Sequence, residues 1–223
     1  MVKKVVRTVI SSKQLASALN SALDSANSTP YLVLDCSFDL TNPSAGEQAY
    51  QLAHIPSAHY VHLDRDLSSV KTGLNGRHPL PNRDDFAATM GMLGLTPDMQ
   101  VVAYDSAGGM YAARLWWMLR WLGHESVAVL DGGLAAWRAA GHPVTQERSA
   151  APTVRAFVAG KSLVRSVVYQ ELRSQINQPN ALLVLDARAP DRFRGDNETL
   201  DPVAGHIPNA RNHLFKNNVG ADG

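Results

Sequence analysis

The chain has 223 residues, 45% of them hydrophobic, and 21 Lys and Arg against 20 Asp and Glu give a net charge of +1. That balance leaves no basic field for nucleic acid, and a single cysteine, Cys36, excludes an internal disulfide and points to a reducing compartment. Lys3, Lys4 and Arg7 are not followed by an apolar run long enough for a secretory signal, and no stretch approaches a bilayer span, so a cytoplasmic protein without a membrane partner is expected.

Val9–Ile10 reads as a short strand, and Ser11 as the cap of a helix carrying Leu15, Ala18, Leu19 and Ala22 at helical spacing. Asn27, Ser28 and Pro30 end that helix. The apolar run Tyr31–Leu34 closes on Asp35 and reads as a buried parallel strand. A loop with Pro43 and Gly46 leads to Ala53-His54-Ile55-Pro56-Ser57-Ala58, and Tyr60, Val61 and Leu63 suggest another strand. Gly73 to Pro81 is a loop. Asn82 caps a helix with Asp84 and Asp85 in its first turn and Gly94 at its end. Val101–Tyr104 is a buried strand tipped by Asp105. A glycine-bearing loop, Ser106 to Met110, follows it and opens the helix Tyr111–Leu122. Val127–Leu130 is a further strand, and Asp131-Gly132-Gly133 turns into a short helix ending at Gly141.

Strands alternating with helices predict a mostly parallel, doubly wound α/β sheet. Residues 144–161 have no clean periodicity and read as a linker between a domain over 1–143 and a second over 162–223. After the linker the pattern restarts: a helix runs through about Ile176, and Leu182–Leu185 ends at Asp186 as Tyr31–Leu34 ended at Asp35. Gly205-His206-Ile207-Pro208-Asn209-Ala210 then echoes residues 53–58, and a last strand is expected near Asn212–Phe215. The acid-to-histidine spacing is 19 residues in one half (35 to 54) and 20 in the other (186 to 206), which marks an internal duplication. The second half lacks counterparts of Val101–Tyr104 and Val127–Leu130.

Chemistry in open α/β sheets sits past the carboxyl ends of strands, where loop N–H groups and a helix N-terminus cradle an anion. The strand tip before such a loop here is Asp105, neither Cys nor Ser. Several other residues have structural readings. Asp35 and Asp186 are expected to cap the next turn or to pair with an arginine such as Arg211. Cys36 reads as a buried structural thiol, since its counterpart in the repeat is Ala187. His54 and His206 share a duplicated structural role. His59 and His62, three apart on a strand, face opposite sides and cannot share a metal. Trp116, Trp117, Trp121 and Trp137 read as packing residues. Arg114 reads equally as an anion ligand or as half of a helix-surface ion pair.

The sequence resembles the tandem-domain rhodanese family, the thiosulfate and 3-mercaptopyruvate sulfurtransferases. The residues that carry the resemblance are LDCS (34–37), HIPSA (54–58), RHPLP (77–81), VVAYD (101–105), WWMLRWLGH (116–124), VLDGGLAAW (129–137), LDARAPDRFRG (185–195) and GHIPNARN (205–212). The resemblance implies two rhodanese-like domains, each a small mostly parallel sheet with helices on both faces, the second incomplete here. It implies a catalytically empty first domain with an acid, Asp105, in the slot that a cysteine fills in the second. Repeat spacing projects that cysteine to about position 257, beyond Gly223, so the 223 residues are expected to hold no catalytic residue and to be inactive alone. The implied reaction passes a sulfane sulfur through a cysteine persulfide, from a small anionic donor to cyanide or a thiol acceptor, with no cofactor and no metal. Within Asp186-Ala187-Arg188-Ala189-Pro190-Asp191-Arg192 the resemblance makes Arg192 the substrate-facing arginine, with Arg188 fixing the loop. Mercaptopyruvate-specific members often carry a second arginine nine residues on; Asp201 stands there, which leaves thiosulfate slightly ahead. The alternative reading is a non-catalytic rhodanese-like binding or regulatory module. A phosphatase of the related loop type would need Cys at the strand tip and Arg six positions later, which Asp105 and Arg114 do not supply. Donor preference, the physiological acceptor and the oligomeric state are not legible in the sequence.

Overall fold

The computed structural model describes residues 5–24, 30–178 and 182–220. The chain divides into two compact units, the break falling between Val164 and Arg165.

The first unit is built on a five-stranded sheet in the order β1-β5-β4-β2-β3, with every pairing parallel. Its strands are β1 (Val9–Ile10), β2 (Tyr31–Asp35), β3 (His59–Tyr60), β4 (Gln100–Tyr104) and β5 (Val127–Leu130). β4 is the middle strand, and all five of its residues are buried. Helices cover both faces, as a parallel sheet requires. Leu32, Leu34, Val101, Ala103 and Val127 face α4 (Arg83–Met92) and α5 (Met110–Trp121). The alternate residues Val33, Val102, Tyr104, Ala128 and Leu130 face α1 (Ser12–Asp24), α2 (Ala45–Leu52) and α6 (Gly133–Ala139). Trp137 is buried on that second face, while Trp116, Trp117 and Trp121 pack half-buried against the first.

The local signals fold as their chemistry directs. The Ser11 hydroxyl accepts the Gln14 N–H at 3.3 Å and the Gln14 side chain accepts the Ser11 N–H at 3.0 Å, a reciprocal cap on α1. The Asn82 side chain accepts the Asp84 N–H at 2.8 Å and starts α4. The strand expected through Tyr60, Val61 and Leu63 stops at Tyr60. His62 is instead the N-cap of the short helix α3 (Leu63–Asp66), its Nδ1 accepting from the N–H groups of Asp64 and Arg65. A side chain able to accept two free helical N–H groups competes with one more ladder bond at the sheet edge and wins.

Residues 144–161 are not a free tether. The Arg155 N–H donates to the Gly91 carbonyl at 2.8 Å, the Gly160 N–H donates to Leu122 at 2.7 Å, and Phe157 is buried in the core around α4 and α5. Arg83 locks the strap, donating from Nη2 to the carbonyls of Gly160 at 2.6 Å and Trp121 at 2.8 Å. Sequence shows no periodicity here because the strap pairs with the sheet-side loop only between Thr145 and His54 and then runs extended along α4 and the end of α5.

The second unit holds α7 (Tyr169–Gln175), β6 (Leu185–Asp186), α8 (Pro190–Arg194), β7 (Arg211–Asn212) and a 3₁₀ turn over Phe215–Asn218. β6 and β7 form a two-stranded parallel sheet. Among the described residues, no buried apolar side chain lies beyond Phe157. Both strands and the first helix are shorter than their patterns predict. Among the described residues of this unit no third strand joins β6 and β7, and Leu183 and Leu185 are exposed.

Candidate functional site

Asp105 stands at the carboxyl tip of β4, 1% exposed. The loop after it curls back so that four main-chain N–H groups converge on the carboxylate. Those of Ala107 and Gly109 donate to Oδ1, both at 2.8 Å, and those of Tyr111 and Ala112 donate to Oδ2, both at 2.9 Å. Tyr111 and Ala112 lie in the first turn of α5, so two of the four donors are helix N–H groups with no partner inside the helix. Gly133 closes the cradle from behind. A Cβ there would lie 2.2 Å from the Asp105 carbonyl oxygen, and its φ of +55° is a left-handed conformation. The cradle is complete and is occupied by its own side chain.

Asp35, at the tip of neighbouring β2, accepts the Ser37 N–H at 2.8 Å and the Tyr104 hydroxyl. Burial raises its pKa. Cys36 follows, 1% exposed. Burial, and then the Asp35 and Asp105 carboxyl groups, push its thiol well above the ordinary cysteine value. A thiol in that setting stays protonated and unreachable, which is the opposite of a nucleophile's environment.

Arg114, on α5, turns to main-chain carbonyls rather than to a carboxylate on the helix surface. Its guanidinium donates to the carbonyls of Leu67 at 2.8 Å and His78 at 3.0 Å and so pins the long loop that follows α3. That loop brings His78 Nδ1 and Lys71 Nζ each to 3.2 Å from Asp64 Oδ1. Burial lowers the His78 pKa while Asp64 opposes it. The result is a half-buried carboxylate–imidazole contact beside an ammonium group. His78 lies in the RHPLP motif at 77–81, but its pairing with residues 64 and 71 has no counterpart in any sequence spacing.

In the second unit Asp186 takes Arg188 rather than Arg211. Arg188 Nε lies 3.0 Å from Oδ1 and Nη2 lies 2.6 Å from Oδ2, and the Arg188 N–H donates to Oδ1 at 3.0 Å. Arg188 Nη2 also donates to the Gly205 carbonyl at 2.6 Å and so ties the loop before His206. Arg192 meets two carboxylates. Its Nε lies 3.0 Å from Glu198 Oε2, its Nη2 lies 2.9 Å from Glu198 Oε1, and Nη2 also lies 2.9 Å from Asp201 Oδ2. Among the described residues no group of three His, Cys, Asp or Glu side chains forms a metal site, and no helix is long and apolar enough to cross a membrane.

A family model described as the rhodanese-like domain matches residues 15–140. The chain belongs to the rhodanese family. It is 49% identical over 195 residues to a probable 3-mercaptopyruvate sulfurtransferase of Pseudomonas aeruginosa, covering 86% of this chain and 68% of that one. It is 34% identical over 233 residues to the thiosulfate sulfurtransferase of Cricetulus griseus, covering all of this chain and 74% of that one. Among solved structures it is similar to SseA from Escherichia coli, described as a 3-mercaptopyruvate sulfotransferase, with a TM-score of 0.79 and 26% identity over 96% of this chain and 78% of that one. The chain thus spans about two thirds to three quarters of the length of these rhodanese relatives. Its α/β architecture, with a parallel sheet between helices, is the rhodanese fold expected from the motifs.

Proposed function

We propose that the complete protein is a sulfurtransferase that moves a sulfane sulfur from thiosulfate or 3-mercaptopyruvate to cyanide or a thiol acceptor. The observation that carries this reading is the 49% identity, over 195 residues, to a relative named for that activity. The cradle at Asp105 supports it, because four converging N–H groups are what an ionised cysteine or its persulfide needs in the equivalent slot of a second domain.

The chemistry balances without an oxidant. A thiolate attacks the outer sulfur of thiosulfate, the S–S bond breaks, and sulfite leaves with the electron pair. Cyanide then attacks the terminal sulfur of the persulfide, thiocyanate departs, and the thiolate returns. With mercaptopyruvate the C–S bond breaks instead, and the pyruvate enolate takes up a proton. Cys36 is buried and its thiol is held neutral, so it is not the proposed thiolate. Arg192 is the proposed clamp on the anionic donor, with Arg188 holding the loop that presents it. Asp201 beside Arg192 leaves thiosulfate slightly ahead of mercaptopyruvate.

Purified residues 1–223 should form no thiocyanate from thiosulfate and cyanide. Formation that Cys36→Ser abolishes would overturn the assignment of the nucleophile. The alternative, a non-catalytic binding module, is favoured by one observation, that Asp105 fills the cradle of the first unit. It becomes the better reading if the complete protein also turns over neither donor.

A further inference from the structure

The two carboxylates on Arg192 are not equivalent. Glu198 is anchored: it accepts the N–H groups of Leu200 at 2.9 Å and Asp201 at 3.0 Å, and Arg188 Nη1 approaches it at 3.4 Å. Its side chain is 3% exposed. It takes Arg192 along the Nε–Nη2 edge and fixes the plane of the guanidinium. Asp201 meets the same guanidinium through Nη2, and its side chain is 34% exposed. Solvent reaches Asp201 and does not reach Glu198.

Charge makes the difference consequential. Asp186, Glu198 and Asp201 set three carboxylates against the two guanidiniums of Arg188 and Arg192. A cluster with an excess negative charge repels a small anion, and the Nη2 donor that would bind one is already engaged. Displacing Glu198 would strand a buried carboxylate and two main-chain N–H groups. Displacing Asp201 moves a half-buried carboxylate that solvent already reaches, which costs less than moving the buried Glu198.

We propose that Asp201 gates the donor site: it covers the Arg192 guanidinium in the unliganded protein, and an anionic donor binds by displacing it while Glu198 stays in place. The proposal rests on the reading of Arg192 as the donor clamp. Asp201 is then an internal competitor whose removal raises donor affinity, the reverse of what loss of a structural ion pair does.

The test is steady-state kinetics of the complete protein with thiosulfate and with mercaptopyruvate, comparing Asp201→Asn, Asp201→Ser and Arg192→Ala. Asp201→Asn keeps the shape of the side chain, and Asp201→Ser guards against a fault peculiar to one substitution. Both Asp201 variants should lower KM by about three- to tenfold with kcat within about twofold, the effect of removing one partly exposed competing charge. Arg192→Ala should raise KM by at least about tenfold. An unchanged or raised KM in both Asp201 variants, with Arg192→Ala still impaired, overturns the gate and leaves the clamp standing. An unchanged KM in Arg192→Ala overturns the clamp itself and the gate with it.

Discussion

The imidazole of His54 lies flat on the ring of Tyr50, with centroids 3.9 Å apart, and its Nδ1 sits 2.7 Å from the Tyr50 carbonyl oxygen. A ring nitrogen facing a carbonyl carries the proton, so His54 donates and its tautomer is set. The second unit repeats the device. His206 stacks on Phe193 at 3.7 Å, and its Nδ1 lies 2.7 Å from the Phe193 carbonyl. The duplicated histidine staples its loop to the turn before it. His54 is fully buried, whereas His206 is exposed. His54→Ala should therefore cost about 2–4 kcal/mol in urea unfolding, from the cavity and the unmet carbonyl together. His206→Ala should cost a fraction of that, and equal losses at the two sites would show that burial is not what sets the cost.

Asp105 answers four N–H groups with one carboxylate. Asp105→Ala leaves four donors facing a gap, and the first unit should lose at least about 3 kcal/mol by urea unfolding. Asp105→Asn keeps one oxygen and places an NH₂ against two donors, so it should recover less than half of that loss. A loss under about 1 kcal/mol for alanine would mean that the loop closes on water or a solute anion instead.

Glu198 carries a pH signature. Hydrogen bonds from Arg192 and from the N–H groups of Leu200 and Asp201 lower its pKa from 4.5 to about 2. A carboxyl group whose folded value is depressed contributes stability above its unfolded value and loses it as pH falls toward the folded one. The Arg192–Glu198 pair should therefore persist well below pH 4.5, and a ¹³C titration of the Glu198 carboxyl should find its midpoint near 2. A midpoint near 4.5 would mean that the pair does not form in solution.

His124 acts at milder pH. It is 4% exposed, its Nε2 is buried without a partner, and burial lowers its pKa below the ordinary 6.5. The fold prefers the neutral ring, so this contribution is complete above pH 6.5 and is lost as pH falls below it. The first unit should lose stability on acidification below pH 6.5, and His124→Gln should flatten that dependence. An unchanged slope in the variant would assign the acid sensitivity elsewhere.

The strap over α4 is held by a close approach. A Cβ on Gly91 would lie 2.3 Å from the Arg155 carbonyl oxygen. Gly91→Ala should lift residues 153–160 from the helix and open them to protease, with cleavage mapped by mass spectrometry. The unmodified chain should be cut beyond Val164 and spared between residues 83 and 164. Cleavage between 144 and 161 in the unmodified chain would show that the strap is loose after all.

The sequence by itself determined the fold class and the family. The apolar runs of β2 and β4, the acids at their tips, the caps at Ser11 and Asn82 and the repeated His-Ile-Pro are written in residues a few positions apart, where propensity and hydrogen-bonding reach decide the outcome. Strand length was less legible, because Leu63 reads as strand until His62 finds two helical N–H groups to accept. What only the tertiary structure decided is which partner each charged side chain takes, from 6 residues away to 77. Arg83 reaches Gly160, Arg114 reaches Leu67 and His78, Asp64 gathers Lys71 and His78, and Arg192 turns to Glu198 and Asp201. A guanidinium or an imidazole can take any acceptor that packing brings within 3 Å, and nothing in its own neighbours records which one that will be.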